Sequence, residues 1–288
     1  MLKIGFLGNC QAQAMESWAM QADGQLSVIT FPAVWLIEEA DVDEIINRIE
    51  SCDILFAQRL SDDFSRPELA TSRLKERFGS RLVSWPNVYF DGYFPGISYR
   101  YHSDGRILGP LDEYHWDVIE ANFQAGRSVA ECVEEMATDA ILARSANPVA
   151  DSLIQLGNRE TGLDVVISDY VASNLHANRL FYSMNHPVNS LLRELLDRLF
   201  GEIGERKRLA ALSEYGFPLD KIVLPVLPAI AARHGIKFSR DEMIKGVAVE
   251  FVDGGYNVTN QPQFYTLTEL IQGFYRTYEG NKSIYADK

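Results

Sequence analysis

Over its first ninety residues the chain alternates short apolar runs with amphipathic stretches, and this constrains the fold more than any other feature. Leu2–Leu7 is apolar and closes on a glycine, the pattern of a short buried strand, and residues 11–20 read as a helix. Residues 41–51 carry Val42, Ile45, Ile46 and Ile49 at helical spacing behind Asp41-x-x-Glu44, a helix-start signature. A second buried strand is predicted over 53–57, a helix over 67–78 that opens on a proline and stops at Gly79, and a third strand over 81–84. The order β-α-loop-α-β-α-β predicts an α/β fold with a Rossmann-like or flavodoxin-like parallel sheet covered by helices.

The texture then changes. Residues 87–110 are aromatic and rich in Gly and Pro with little periodicity, which reads as a long structured loop of the kind that often carries function. Helices are expected over 112–125, 128–137 and 139–156, and a strand over 163–167. Residues 187–200 form a strongly amphipathic helix that starts on Pro187, and further helices are expected over 205–214, 228–234, 240–245 and 266–278. The expected organisation is an α/β part over 1–110 that includes the aromatic loop. A mainly helical part over 111–288 packs on it as one unit.

A formal charge of −13 counts against a nucleic-acid partner, which is normally met by a basic face. It is compatible with an anionic small ligand held by a few arginines or a helix N-terminus. The three cysteines, Cys10, Cys52 and Cys132, form neither a disulfide framework nor a CxxC pair, so a reducing, cytoplasmic setting is expected. No signal-peptide pattern or apolar run of membrane-spanning length stands in the sequence. No HxH, HExxH or Cys/His cluster occurs, so no metal site is expected.

Two segments carry candidate chemistry. Gly8-Asn9-Cys10-Gln11 follows the first strand, where open α/β sheets bind ligands against helix N-termini. Gly8 permits a tight turn, Asn9 caps or donates, and Gln11 adds a side-chain donor. Cys10 is either a small buried residue or a thiol whose pKa the helix start lowers. The segment is neither GxGxxG nor GxSxG. The second is Asn185-His186-Pro187, read either as a cap for the next helix, with Asn185 or His186 at the N-cap, or as a site presenting His186 as a general base. Tyr89, Tyr93 and Tyr101 offer rings and hydroxyls to a ligand. His102 is a second acid–base group or an exposed loop histidine. Arg59, Arg100, Arg106, Arg159 and Arg179 are the options for phosphate contacts.

Taken together, Gly8-Asn9-Cys10-Gln11, the stretch DILFAQR ending at Arg59, Pro86-Asn87-Val88-Tyr89-Phe90, Gly92-Tyr93-x-Pro95 and Asn185-His186-Pro187 resemble the WcbI family of capsular polysaccharide biosynthesis proteins. The resemblance covers most of the first 200 residues. It implies a cradle-shaped α/β protein that binds coenzyme A, as acetyl-CoA, and transfers the acyl group to a sugar hydroxyl of a polysaccharide precursor. It also implies Cys10 near the thioester with Gly8, Asn9 and Gln11 beside it, His186 as base, Gln58 and Arg59 on the same sheet edge, Asn185 at the cofactor, and Tyr89, Tyr93, Tyr101 and His102 at the acceptor sugar. Two other readings stay open. One is an esterase of the SGNH type with Cys in the nucleophile position, although the DxxH expected near the C-terminus is missing. The other is a non-catalytic module that holds CoA or a nucleotide for a partner.

Overall fold

The computed structural model describes residues 1–21, 26–102, 105–144, 147–209, 216, 219–238, 243–252 and 255–281. In chain order its first elements are β1 (Leu2–Leu7), α1 (Cys10–Ala19), β2 (Leu26–Ile29), α2 (Val42–Glu50), β3 (Ile54–Gln58), α3 (Thr71–Phe78) and β4 (Leu82–Trp85). Then come β5 (Ile97–Tyr99), β6 (Tyr101–His102), β7 (Gly105–Arg106), β8 (Tyr114–Trp116), α4 (Asp117–Gln124), α5 (Val129–Ala137), α6 (Pro148–Glu160) and α7 (Ser168–Asn174). The chain continues through β9 (Phe181–Ser183), β10 (His186–Pro187), α8 (Asn189–Glu202), α9 (Pro228–His234), β11 (Ile244–Val252), β12 (Gly255–Tyr265) and α10 (Leu267–Gly280). Its internal contacts divide it into two units, each assembled from three stretches. None of the described helices is long and apolar enough to cross a membrane.

The first unit comprises residues 1–89, 154–173 and 186–219. It holds a four-stranded sheet in the order β2-β1-β3-β4, with β1 parallel to β2 and β3, and β3 parallel to β4. Side chains alternate across it as strand geometry requires. Phe6 and Phe56 point to one face, 5.0 Å apart, and Phe56 meets Phe200 of α8 at 5.4 Å. Leu7, Leu55 and Ala57 point to the other, into a core shared with Ile45, Ile46 and Ile49 of α2 and Leu74 and Phe78 of α3. Burial of each large apolar side chain contributes about 2 kcal/mol.

Residues 163–167, expected as a strand, instead run beside the β4 edge with a single ladder-like bond, Val165 N–H to the Ser84 carbonyl at 3.0 Å. Asp164 finishes that edge, its Oδ2 accepting from the Ser84 N–H at 2.8 Å and the Ser84 hydroxyl at 2.6 Å. The exposed edge that a terminal strand would present is thereby occupied. Glu160 accepts from the N–H groups of Ile167 and Ser168 and so fixes the entry into α7.

The second unit comprises residues 90–153, 174–185 and 220–288. Its core is aromatic: Phe90 stacks on Phe181 at 5.1 Å, and Tyr93 and Phe94 are fully buried beside them. Helix α10 packs against α4 and α5, and β11 and β12 form a long antiparallel hairpin.

Several expectations are corrected. Strand β2 was not anticipated. The stretch 87–110 contains β5, β6 and β7 rather than loop alone, and the helix expected from 112 begins at Asp117, after β8. The helix expected over 139–156 is a 3-10 turn, Asp139–Arg144, followed by α6. Of the helix expected over 205–214, Arg206–Leu209 is a 3-10 turn and 210–214 lie outside the described residues. Of that expected over 240–245, residues 240–242 lie outside them, and Ile244 and Lys245 open β11. The later part is thus helical with an antiparallel pair of strands, β11 and β12, inserted before its last helix.

Candidate active site

In the order β2-β1-β3-β4 the chain leaves β1 in one direction to form β2, then returns to place β3 on the other side. The crevice outside the carboxyl ends of β1 and β3 is therefore a topological switch point, where open α/β sheets bind ligands. Gly8-Asn9-Cys10-Gln11 leaves β1 at this crevice, and Gln58-Arg59 leaves β3. Because β2 is half-buried along its whole length and carries no alternation, the sequence does not locate this point in the sheet.

The turn is held by amides. The Asn9 side chain caps α1, its Oδ1 accepting from the Gln11 N–H at 2.9 Å. The Asn9 N–H donates to Gln58 Oε1 at 2.9 Å, and its Nδ2 donates to Asn87 Oδ1 at 3.2 Å. Gln11 is fully buried: its Nε2 donates to the Val88 carbonyl at 2.8 Å, and its Oε1 accepts from the Val88 N–H and from Gln58 Nε2, both at 3.1 Å. Three chain segments, following β1, β3 and β4, are tied together at one point. Gly8 is required there, since a Cβ would lie 2.7 Å from the Cβ of Gln58. Gln11 and Gln58, expected at the cofactor, are internal to this network and fix the loop. Asn87 and the Val88 backbone were not among the expected site residues.

Cys10 is the first residue of α1 and is half-buried, at the end of the helix where backbone N–H groups and the dipole favour negative charge. The other two thiols differ. Cys52 and Cys132 are buried, and desolvation pushes each up to about 11. Iodoacetamide at neutral pH is therefore expected to alkylate Cys10 first in the folded protein, with Cys52 and Cys132 following only on unfolding or at strongly alkaline pH. Peptide mapping checks this, and equal labelling of all three contradicts it.

Two arginines border the crevice in the same unit. Arg59 is exposed, and its Nη1 donates to the carbonyls of Arg159 at 3.0 Å and Thr161 at 3.2 Å. Arg159 lies over the Tyr89 ring at 5.1 Å, and its Nη1 donates to the Tyr89 carbonyl at 3.1 Å. Among the described residues Arg59 has no carboxylate partner, so its charge faces the solvent side of the sheet edge.

His186, half-buried, stands three residues before α8 in the same unit. The N-cap of α8 is Val188, with no side-chain cap, so neither Asn185 nor His186 serves as one. Asn185 falls in the second unit, where its Oδ1 accepts from the Tyr114 hydroxyl at 2.6 Å and its Nδ2 donates to Tyr99 at 3.1 Å. Tyr93 is a core residue rather than a sugar platform: it is fully buried and its hydroxyl donates to the Leu175 carbonyl at 2.6 Å. Tyr101 is 63% exposed, and the backbone of His102 belongs to β6 while its side chain lies outside the described residues. Tyr89 is the expected sugar contact that the structure brings to the crevice. Of the other arginines weighed for phosphate, Arg100 is committed to Asp117 and Glu120, and Arg106 to Glu113. Arg179 donates to the carbonyls of Leu224 and Phe181.

A family model described as the polysaccharide biosynthesis enzyme WcbI matches residues 3–208, which include the whole amide-tied turn and His186. The chain belongs to the WcbI family. A solved WcbI structure has the same fold at a TM-score of 0.73, with 20% identity over 99% of this chain and 94% of that one. That structure is described as a novel polysaccharide biosynthesis enzyme, as native protein without a disulfide bond between CoA and a cysteine. No curated protein matches the chain. WcbI membership makes the chain one of a family of polysaccharide biosynthesis enzymes, and it accounts for the α/β architecture.

Proposed function

We propose that this protein is a CoA-dependent O-acyltransferase that moves an acetyl group from acetyl-CoA to a sugar hydroxyl of a polysaccharide precursor, with Cys10 and His186 as its catalytic residues. The observation that carries the reading is Cys10 at the start of α1, held over the switch point by the amide network of Asn9, Gln11, Gln58 and Val88. The solved relative, described as lacking a disulfide bond between CoA and a cysteine, supports it by naming CoA and a cysteine together. The residues present suit the cofactor. Arg59 and Arg159 offer guanidinium groups for its phosphates, and the N-terminus of α1 offers backbone donors for a developing oxyanion.

Bound as acetyl-CoA, the cofactor supplies an activated acyl group. Cys10 takes that group as its own thioester while His186, as imidazolium, protonates the departing thiolate. His186 then removes the proton of the acceptor hydroxyl as its oxygen attacks the Cys10 thioester carbonyl, and the carbon–sulfur bond breaks to return the Cys10 thiolate. Tyr89 borders the acceptor side.

Calorimetric titration with CoA and acetyl-CoA is expected to show micromolar binding. CoA disulfide is expected to leave Cys10 carrying one CoA as a mixed disulfide, releasing one CoA thiol, and the adduct is expected to be absent in Cys10→Ser. A protein that binds neither ligand at millimolar concentration, or that takes the adduct on Cys52 or Cys132, rules the reading out.

A further inference from the structure

The second unit contains a cavity of about 480 Å³ between the β11–β12 hairpin and α10, within the usual size range of small-molecule sites. All of its lining residues except Pro110 and Val129 lie beyond residue 208, in the part of the chain the family model does not match. Cys10 belongs to the first unit.

The hairpin is irregular where Ala248 and Val249 line the cavity. Its register places Val247 opposite Pro262 but Val249 opposite Val258, so Ala248 faces the three residues Thr259, Asn260 and Gln261. Thr259 secures the slip, its hydroxyl donating to the Ala248 carbonyl at 3.2 Å and accepting from the Gln261 N–H at 3.2 Å. Such bulges bend a strand and re-aim its side chains. The wall behind is fixed. The Val247 N–H donates to the Pro110 carbonyl at 2.9 Å, and a Cβ on Gly246 would stand 2.1 Å from that oxygen. The Tyr265 hydroxyl donates to the Val247 carbonyl at 2.6 Å, which holds its ring against the cavity.

The lining combines flat rings with the exposed polar side chains of Gln272, Arg276 and Glu279, which have few partners among the described residues. Arg276 lies over the Phe251 ring at 3.6 Å and makes no ion pair among the described residues. The amide of Gln272 and the carboxylate of Glu279 make no hydrogen bond among them either. Glu269 accepts from Thr266 through Oε2, leaving its other oxygen. Two carboxylates against one guanidinium give the lining a net negative charge, which disfavours a phosphate, a uronate or another anion. A purely apolar ligand would displace water from these exposed polar groups without replacing its hydrogen bonds. Vicinal hydroxyls need donors and acceptors side by side, which amide, carboxylate and guanidinium supply, and the C–H face of a sugar ring packs on an aromatic ring. We infer that this cavity is a saccharide site that takes an uncharged pyranose ring, with Tyr265 and Tyr275 as the flat walls and Gln272, Arg276 and Glu279 on its hydroxyls.

Saturation-transfer NMR of the full chain with the methyl glycosides of glucose, galactose, mannose and N-acetylglucosamine tests this, with glucuronate and inorganic phosphate as charged comparators. Transfer to at least one neutral glycoside is expected. The double variant Gln272→Ala with Arg276→Ala is expected to weaken that binding about tenfold or more, and Gln272→Trp, which fills the space, to abolish it. Both variants are expected to keep the wild-type melting temperature and CoA titration, so a failure here is separable from a failure at Cys10. The inference is overturned by the absence of transfer to every neutral glycoside, by equal transfer in wild type and variants, or by binding of the charged comparators alone.

Discussion

Exchanging His186 for alanine is expected to lower acetyl transfer by about 10²–10⁴-fold, the usual contribution of a positioned general base, while CoA still binds. The side chain is not needed to start α8, whose N-cap is Val188, so its removal spares the helix that buries Leu191, Leu192, Leu195, Leu196 and Leu199. The expected loss is therefore chemical, and two readouts separate it from misfolding. The variant is expected to keep the wild-type melting temperature, and added imidazole is expected to restore part of the rate by entering the space the side chain vacates. The assay follows release of CoA from acetyl-CoA by chromatography, with nucleotide-activated and lipid-linked sugars as acceptors. Wild-type turnover in the alanine variant would remove His186 from the mechanism.

The second large effect is on stability. Gln11→Met keeps the side-chain volume but removes every hydrogen bond of the buried amide, leaving the Val88 N–H, the Val88 carbonyl and the Gln58 amide without their partner. Unsatisfied buried groups cost about 1–3 kcal/mol each, so a total of about 4 kcal/mol and a fall in melting temperature of about 10 °C are expected. Gln13→Met, two residues along the same helix on an exposed position, is expected to change little. Thermal melts of the two variants decide the matter: equal curves would mean that the network contributes nothing. Because the same amide ties residues 87–89 to the Cys10 turn, Gln11→Met is also expected to weaken CoA binding well below its melting temperature.

The sequence made the parallel-sheet half legible wherever burial wrote a period into it. Strand β1, and helices α2 and α8 to within two residues, follow from apolar spacing alone. Strand β2 escaped because its four residues are only half-buried and carry no alternation. The hairpin escaped for a related reason: β12 is polar along most of its length and largely exposed, so nothing in GYNVTNQPQFY marks a strand. At the site, the turn after β1 was readable from its glycine and its capping asparagine. Its partners were not, since Gln58 is 47 residues from Gln11 and Val88 is 77, and neither carries a local signal. Tyr93 shows the converse, an aromatic residue in a Gly- and Pro-rich stretch that resembles a ligand platform until its burial is known.

The bonds from Asp164 to Ser84 span 80 residues of chain. During synthesis, β4 leaves the ribosome long before the segment that covers it, so the nascent sheet passes through a period with one raw edge and a row of unclaimed peptide groups. Substituting Asp164 extends that exposure into the finished protein. Loss of this carboxylate is thus a matter of yield, with the chain recovered as aggregate when expressed fast and warm and as folded protein when expressed slowly in the cold.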